Sequence, residues 1–549
     1  MSDDRKAFTA IMIAGAAIRV VIVVLPFHYL MQIFLPDDAY YYFDIAQNIA
    51  AGNGITYDGL GPTNGFHPLW LAILVPVFGI LPKLAAVRVA VGLSALIDVF
   101  NIALVGRAAR QITGKPAAAN IAAFIYAINV PVILIVINAM ESALLVAFML
   151  GLLIAYLAWR GNWTLKRAVI FGLIGGGLIL SRTDGAIFFA IVLLAILIRE
   201  SGKNRIMIPV ISGVLATAIV APFLIWNTVK FGSPMQVSGK AIPLAVHREH
   251  KVRSAELAVH REFGVHPTEP GVKVRSPISE GIKKARNAFF SKMFSLTGLR
   301  RGGIWLSGVL LIFFLIIYIV QKRGGNPEPT PYFRHIAALG LPMLFMLLLA
   351  VIHGGLRWFI MTWYFAGAAA IWAMFLGISA YNLLYIKGEP PRWAGIIASV
   401  IIALLPVVGL AANPPKLIDE NPSYVFHKFV RIHVDDVLRS RDIPPDTLIG
   451  AFNSGIFRFY SDYSCVNLDG VVSYNAFRAI ENRTLDKYIR DNEIKYIVDR
   501  SIDFDRYRDA AGLNMKRLRM VREIEVAEKR DHWTREIIKV KLVLYEVLP

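Results

Sequence analysis

Pro36-Asp37-Asp38-Ala39-Tyr40-Tyr41-Tyr42 is the stretch on which the reading of this chain turns. It stands where a first apolar run, residues 8–35, gives out. A run of that length and apolarity predicts a membrane span. Two adjacent carboxylates at its exit are costly so close to hydrocarbon, and ionisable groups placed there point to function. The three tyrosines that follow suit a helix at the lipid–water boundary, where amphipathic rings collect. Chemistry is therefore expected at the membrane surface, on the side where the first span emerges.

The composition agrees with a membrane setting. Of 549 residues, 56% are hydrophobic, and apolar runs recur along the chain, which predicts a polytopic α-helical membrane protein. The single Cys465 excludes an internal disulfide and any four-cysteine metal site. The first run leads into Leu-Pro-Asp-Asp instead of a small-residue cleavage site, so it is expected to stay as an anchor. A net charge of +19 is explained by cytosolic loops and contact with anionic lipid, with no nucleic-acid partner.

Eleven spans are predicted, at residues 8–35, 86–106, 117–137, 141–159, 168–181, 185–199, 206–227, 303–321, 333–352, 360–385 and 393–412. Short loops on one side carry Arg107, Arg110, Lys115, Arg160, Lys166, Arg167, Arg199, Lys203, Arg205, Lys322 and Arg323, whereas the alternate turns carry Arg182 and Arg357. The positive-inside rule then puts the N-terminus in the cytoplasm and Asp37-Asp38 outside. An odd number of spans places the C-terminus outside too. The expected location is the inner (cytoplasmic) membrane.

Three larger segments fall on the outer face. In loop 36–85, residues 38–51 predict an amphipathic helix ended by Gly52-Asn53-Gly54. The apolar run Pro68–Leu81 is short for a span and predicts an interfacial or re-entrant helix. Loop 228–302 has 14 Lys/Arg against 5 Glu and no Asp, a composition suited to anionic headgroups. The tail 413–549 is of ordinary soluble composition. Strands are expected at Leu448–Phe452, Lys495–Asp499 and Ile537–Leu548 and a helix at Leu485–Asn492, which together predict a small α/β domain.

Several residues are candidates for chemistry. Asp37 and Asp38 suit a general base, since burial raises a carboxyl toward working pH; the alternative is that the pair caps the following helix. Asn64 and His67, in Thr63-Asn64-Gly65-Phe66-His67-Pro68-Leu69-Trp70, are either ligands for hydroxyls or phosphate, or parts of a simple turn. Glu141 is either simply solvated or a cap for the next helix, or it faces substrate. Arg182 and Asp184, in Ser181-Arg182-Thr183-Asp184-Gly185, either pair for architecture or offer a guanidinium fork to phosphate. Lys240 and Arg357 are further outer-face cations, each either a contact for lipid headgroups or a ligand for substrate phosphate. Asp435-Asp436 and Asp469-Gly470 read as structural, the latter as a turn. No HExxH, GxSxG or Walker signature is present.

The order of one span, Asp37-Asp38-Ala39-Tyr40 leading an interfacial helix, Asn53-Gly54, and Asn64-Gly65-Phe66-His67-Pro68-Leu69-Trp70 resembles the first outer loop of GT-C fold glycosyltransferases. The branch it is similar to holds protein mannosyltransferases, lipid A aminoarabinose transferases and mycobacterial arabinofuranosyltransferases. Met140-Glu141-Ser142, the 181–185 turn and Phe231-Gly232-Ser233-Pro234 also look like features of that group. The resemblance implies a GT-C transmembrane domain over residues 1–412 and an extracytoplasmic domain over 413–549.

It also implies an enzyme that takes a sugar from a polyprenyl-phosphate donor and passes it to a glycan, lipid or protein acceptor at the outer leaflet. On that reading Asp38 or Asp37 is the base, and Arg182, Lys240 and Arg357 meet the donor phosphate. Tyr40, Asn64, His67, Glu141 and Asp184 contact substrate. No cofactor is firmly implied; oligosaccharyltransferase relatives use a metal, which leaves a divalent ion open. The rival is a transporter or lipid flippase, which would favour internal repeats and helix breaks at mid-membrane; the ionisable residues here gather at one face instead.

Overall fold

The computed structural model describes residues 3–245, 247–248, 309–316, 318–319, 331–355, 362–384, 433–530 and 537–549. Arg357, the expected span 393–412, part of the expected span 303–321 and most of loop 228–302 lie outside the described residues. So does the expected domain boundary near residue 413.

Among the described residues, five helices are long and apolar enough to cross a membrane. They are Asp3–Val24, Lys83–Thr113, Ser142–Trp159, Asn204–Phe231 and Trp363–Leu384. The pair Pro116–Ile128 and Val130–Val136, bent by 67°, makes a sixth if counted as one span. Pro68–Ile80, Gly185–Arg199 and Gly340–His353 are shorter apolar helices. The eleven expected spans therefore divide, where described, into full-length helices and shorter ones.

The first apolar run is broken. Its helix ends at Val24, because Pro26 brings no N–H donor, and the chain re-forms as a short irregular turn over Phe27–Phe34. Leu30, Met31 and Phe34 of that turn are buried in protein. The helix after it runs Asp37–Ala50 and stops where Gly52 takes a left-handed φ of +80°. Helix Pro68–Ile80 follows, with proline at its first position and Trp70, Leu71, Leu74 and Phe78 turned inward.

A buried ion pair ties the first span to its neighbours. Arg19 gives Nε and Nη2 to Asp98 Oδ2 at 3.0 and 2.8 Å, and Tyr126 Oη donates to Asp98 Oδ1 at 2.8 Å. The remaining arm of Arg19 donates to the Ala127 carbonyl. That carbonyl lies at the break between helices Pro116–Ile128 and Val130–Val136, where the regular ladder is interrupted and an acceptor is freed. The arginine thus neutralises Asp98 and satisfies the broken helix together.

The C-terminal residues form a five-stranded sheet of order β2-β1-β3-β5-β4. The strands are β1 Leu448–Ala451, β2 Ser464–Asn467, β3 Tyr496–Arg500, β4 Leu518–Arg530 and β5 Ile537–Val547. β1 pairs in parallel with both β2 and β3, and β5 is antiparallel to β3 and β4. Helices Ser454–Tyr460, Tyr474–Glu481, Leu485–Asp491 and Ser501–Ala511 connect and cover the strands. The parallel strands all end toward the membrane part, which sets what faces the site.

Removing one member of the Arg19–Asp98 pair leaves the other charged and unpaired in the interior, at a cost of about 3–5 kcal/mol. Asp98→Leu is expected to lower the thermal midpoint of the purified protein in detergent. The double variant Arg19→Met/Asp98→Leu is expected to recover most of that loss, as followed by circular dichroism.

Candidate functional site

Consecutive residues of an α-helix project about 100° apart. At the start of helix Asp37–Ala50 this separates two adjacent carboxylates. Asp37 turns to the C-terminal part, where its Oδ1 accepts from Ile456 N at 2.8 Å and its Oδ2 from Gly455 N at 3.3 Å. These N–H groups open helix Ser454–Tyr460 and have no partner inside it. Gly455 is required there, since a Cβ would overlap the Asp37 carbonyl. Burial pushes the Asp37 carboxyl up, and the bonds from Ile456, Tyr41 and Gly455 work against that shift.

Asp38 turns the other way, into a cavity of about 700 Å³. No hydrogen bond or ion pair engages its carboxylate among the described residues. Burial, followed by the charges of Asp37 and Glu141, pushes its carboxyl up to about 7, while Arg182 pulls it down. It is a carboxyl poised to exchange a proton near neutral pH.

The opposite edge of the cavity carries Arg182. Its Nε donates to both Asp184 oxygens at 3.1 Å and its Nη1 to Glu141 Oε1 at 2.9 Å. The guanidinium carbon lies 4.4 Å from the centre of the Tyr364 ring. Burial works against the charge, but Asp184 and Glu141 outweigh it and hold the guanidinium firmly protonated. Its Nη2 makes no hydrogen bond among the described residues, and the side chain lines the cavity.

Glu141 is fixed from its other side by the Tyr42 hydroxyl at 2.9 Å. That hydroxyl also accepts from His67 N at 3.1 Å, so Tyr42 ties the 63–70 turn to the arginine cluster. His67 Nε2 lies 3.8 Å from Glu141 Oε1, and burial lowers its pKa. Gln236 bridges the Phe66 carbonyl, His67 Nδ1 at 3.3 Å and Thr183 Oγ1 at 2.9 Å.

Asp38, His67, Glu141, Arg182 and Asp184 therefore line one cavity. Three other expected contacts stand off it. Asn64 donates to Asn227 Oδ1 at 3.1 Å and accepts from Val237 N at 2.9 Å, which makes it a tie between loops. Tyr40 is 1% exposed, packed among Phe43, Phe459 and Tyr460. Lys240 is not among the lining residues, though Ser238 and Gly239 beside it are. Nor do Tyr40, Tyr41 and Tyr42 sit at a lipid boundary. The C-terminal part covers their helix, and all three are buried in protein.

The remaining wall comes from the C-terminal part. Asn453 follows β1, Asp469 follows β2, and Arg500 ends β3, with Asp503 and Arg506 on the next helix. These positions sit at or just beyond the carboxyl ends of parallel strands, where open α/β sheets bind ligands. The expected turn at Asp469-Gly470 is present, with Asp469 Oδ1 accepting from Val471 N at 2.8 Å. It also borders the cavity, which reading it as a turn alone did not anticipate. Gly65 meets this wall so closely that a Cβ would overlap the Val471 carbonyl.

Among the described residues no three His, Cys, Asp or Glu side chains gather at a spacing that holds a metal ion. The guanidinium of Arg182 occupies the position between Glu141 and Asp184 that a cation would need. These residues do not fit a metal site.

No protein-family model and no curated protein sequence matches this chain. Solved structures do. The archaeal oligosaccharyltransferase AglB from Archaeoglobus fulgidus, in complex with an inhibitory peptide and a dolichol-phosphate, aligns with a TM-score of 0.54 at 15% identity. The alignment covers 98% of this chain and 74% of AglB. ArnT from Cupriavidus metallidurans, in the apo state, aligns with a TM-score of 0.52 at 13% identity over 98% of each chain. Identities this low speak to architecture alone, and the architecture is the GT-C fold that residues 37–70 led one to expect.

Proposed function

We propose that this protein is a membrane glycosyltransferase that moves a sugar from a polyprenyl-phosphate donor to a hydroxyl of an envelope glycan, lipid or protein on the outer face. The observation that carries the reading is the pairing, in one cavity, of an unengaged carboxyl near neutrality with an arginine presenting an open edge. Asp38 is the base and Arg182 the phosphate ligand.

The chemistry follows from the leaving group. An acceptor oxygen attacks the anomeric carbon and forms the new C–O bond. The bond from that carbon to the phosphate oxygen breaks, and its electron pair leaves with the lipid phosphate. The acceptor proton passes to Asp38. A phosphate leaves without being protonated, so one carboxylate suffices where most glycosidases need two. Charge building on the departing phosphate meets Arg182 Nη2, held in place by Glu141, Asp184 and Tyr364. Attack from the face opposite the phosphate inverts the anomeric centre.

Asp37, Tyr40 and Asn64 then act as positioning residues. His67 and Gln236 border the cavity as neutral hydrogen-bonding groups for sugar hydroxyls. Lys240 is left as a contact for lipid headgroups, and Arg357 remains a candidate for the donor phosphate. The topology that suits this chemistry keeps the N-terminus in the cytoplasm and the 413–549 segment outside. Four apolar side chains that border the cavity, Ile187, Ile242, Ile352 and Trp363, suit the first part of a polyprenyl tail.

Incubating the purified protein with labelled polyprenyl-phosphate sugars and cell-envelope acceptors should give transfer, and failure with every donor would sink the reading. Asp38→Asn is expected to lower turnover by roughly 10²–10⁴-fold, the scale of general base catalysis, with donor binding retained. Arg182→Lys keeps the charge and loses the fork, and turnover is expected to fall by about 10²-fold.

The rate should also rise with pH through about 7, because Asp38 accepts a proton in its ionised form and its carboxyl titrates there. Asp37→Asn removes a neighbouring negative charge yet keeps an acceptor for Ile456 N. It should move that limb to lower pH, a shift read from the pH profile of kcat.

A further inference from the structure

A second cavity, of about 1090 Å³, opens among the membrane helices. Helix Lys83–Thr113 fixes its place. Lys83, at one end, reaches the Phe459 carbonyl of the C-terminal part. Arg107 and Arg110, near the other end, line the second cavity. At about 1.5 Å per residue, Lys83 and Arg107 lie about 36 Å apart along the helix, slightly more than the thickness of a bilayer's hydrocarbon core. The two cavities therefore sit at opposite ends of the spans.

The mouth of the second cavity is cationic. Arg5, Arg107 and Arg110 line it, with Asp4 as its one acid. Three guanidiniums against one carboxylate leave the lining two charges positive. Arg107 and Arg110 share a face of one helix, a turn apart, and Arg5 comes from helix Asp3–Val24. All three are exposed, and no side chain among the described residues forms a hydrogen bond or ion pair with them. Asp4 forms no ion pair with them either; the acid that does pair nearby is Asp3, with Lys6.

Deeper in, the lining turns apolar. Phe100 lies about 10 Å along the helix from Arg107, and Leu104, Phe8 and Ile154 extend the same wall. Phe8 packs over Gly106, where a Cβ would come within 2.8 Å of its ring. Phe100 is 57% exposed, so this part of the cavity is open sideways, toward acyl chains. Beside the arginines, Gln111 carries a buried Oε1 that accepts no hydrogen bond among the described residues. An acceptor left this way costs free energy until a donor meets it.

We propose that this cavity binds an anionic glycerophospholipid with a hydroxyl-bearing headgroup. The arginines hold the phosphate diester, a headgroup hydroxyl donates to Gln111 Oε1, and an acyl chain lies along Phe8, Phe100 and Leu104. Each part of the lipid answers one feature of the cavity. Guanidinium forks match phosphate oxygens. The surplus of positive charge favours a lipid of net negative charge over a zwitterionic one. The apolar wall calls for a hydrocarbon chain, which a soluble phosphate lacks. The site does not depend on the glycosyltransferase reading, and the positive-inside rule gives it to the cytoplasmic leaflet.

The test incubates the purified full chain in detergent with phosphatidylglycerol or with phosphatidylcholine of the same acyl chains, and counts bound lipid by native mass spectrometry. Phosphatidylglycerol is expected to bind at least about tenfold more tightly, and the preference should shrink in concentrated salt. Arg5→Gln/Arg107→Gln/Arg110→Gln should bring its binding down to the phosphatidylcholine level. Lys166→Gln/Arg199→Gln/Lys203→Gln changes exposed cations outside the cavity and should keep the preference. Phosphatidylmethanol retains the phosphate diester and lacks the hydroxyls. It should bind several-fold more weakly than phosphatidylglycerol, and Gln111→Leu should close that gap.

Equal binding of phosphatidylglycerol and phosphatidylcholine by the unaltered protein overturns the site with no variant needed. Equal loss of the preference in both triple variants overturns it too, since the lipid would then be held by the basic surface at large. If phosphatidylmethanol binds the unaltered protein as well as phosphatidylglycerol does, the headgroup assignment falls. Displacement of phosphatidylglycerol by an equal concentration of polyprenyl phosphate gives the cavity to that lipid instead. None of these measurements needs turnover, so a failure of sugar transfer leaves them unaffected.

Discussion

Everything at the site depends on how Asp37 is held. Its carboxylate closes the exposed start of helix Ser454–Tyr460 through Ile456 N and Gly455 N. Charge-assisted bonds of this kind are roughly twice as strong as neutral ones. They join helix Asp37–Ala50 to the β-sheet part, and the cavity lies between the two. Further ties run alongside. Tyr40 meets Tyr460 and Phe459, Lys83 reaches the Phe459 carbonyl, and Asp44 lies near Arg458. With Asp37 spent on this contact, helix geometry alone turns its neighbour Asp38 into the space that results.

The two aspartates illustrate how one sequence doublet supports two tasks. Burial raises both carboxyls. Asp37 is given donors that favour its charged form, whereas Asp38 is given none and has two acidic neighbours. The difference is one of partners, not of residue type or depth. Arg182 shows the converse: a buried cation that stays charged because Glu141 and Asp184 flank it. Tyr42 and Tyr364 complete a frame around it, so the guanidinium reaches the cavity by a single edge. An arginine fixed in this way pays little reorganisation when charge develops on a ligand.

How much of this was legible follows the physics of each signal. Charges at membrane boundaries are conspicuous, which is why Asp38, Glu141, Arg182 and Asp184 stood out and why their convergence in one cavity needed only the spans to pack. Helix and strand periodicity located Asp37–Ala50, Pro68–Ile80, β1, β3 and β5 to within a residue or two. What stayed hidden depended on partners far along the chain. Tyr40 reads as an interfacial aromatic until Phe459 and Tyr460 cover it. Asn64 reads as a ligand until Asn227 takes its amide. Arg500, Asp503 and Arg506 look like ordinary surface charges, because their place at the cavity comes from sheet order and docking. A usable signal did exist: β1 and β3 were recognisable, and residues just past parallel strand ends are the first place to look for a site.

The division of the cavity into two walls also explains its size and shape. A site confined to the membrane part would have to open toward lipid, where an unengaged carboxyl is expensive. A site confined to the sheet part would lie out of reach of a substrate anchored in the bilayer. Placing Asp38 where the two meet removes both difficulties, because the sheet part shields it from bulk solvent and the membrane part would bring it to the lipid-anchored donor proposed above. The close approaches at Gly455 against Asp37 and Gly65 against Val471 show how tightly that seam is drawn. A side chain at either glycine would push the walls apart, and the raised carboxyl of Asp38 depends on the burial that the seam provides.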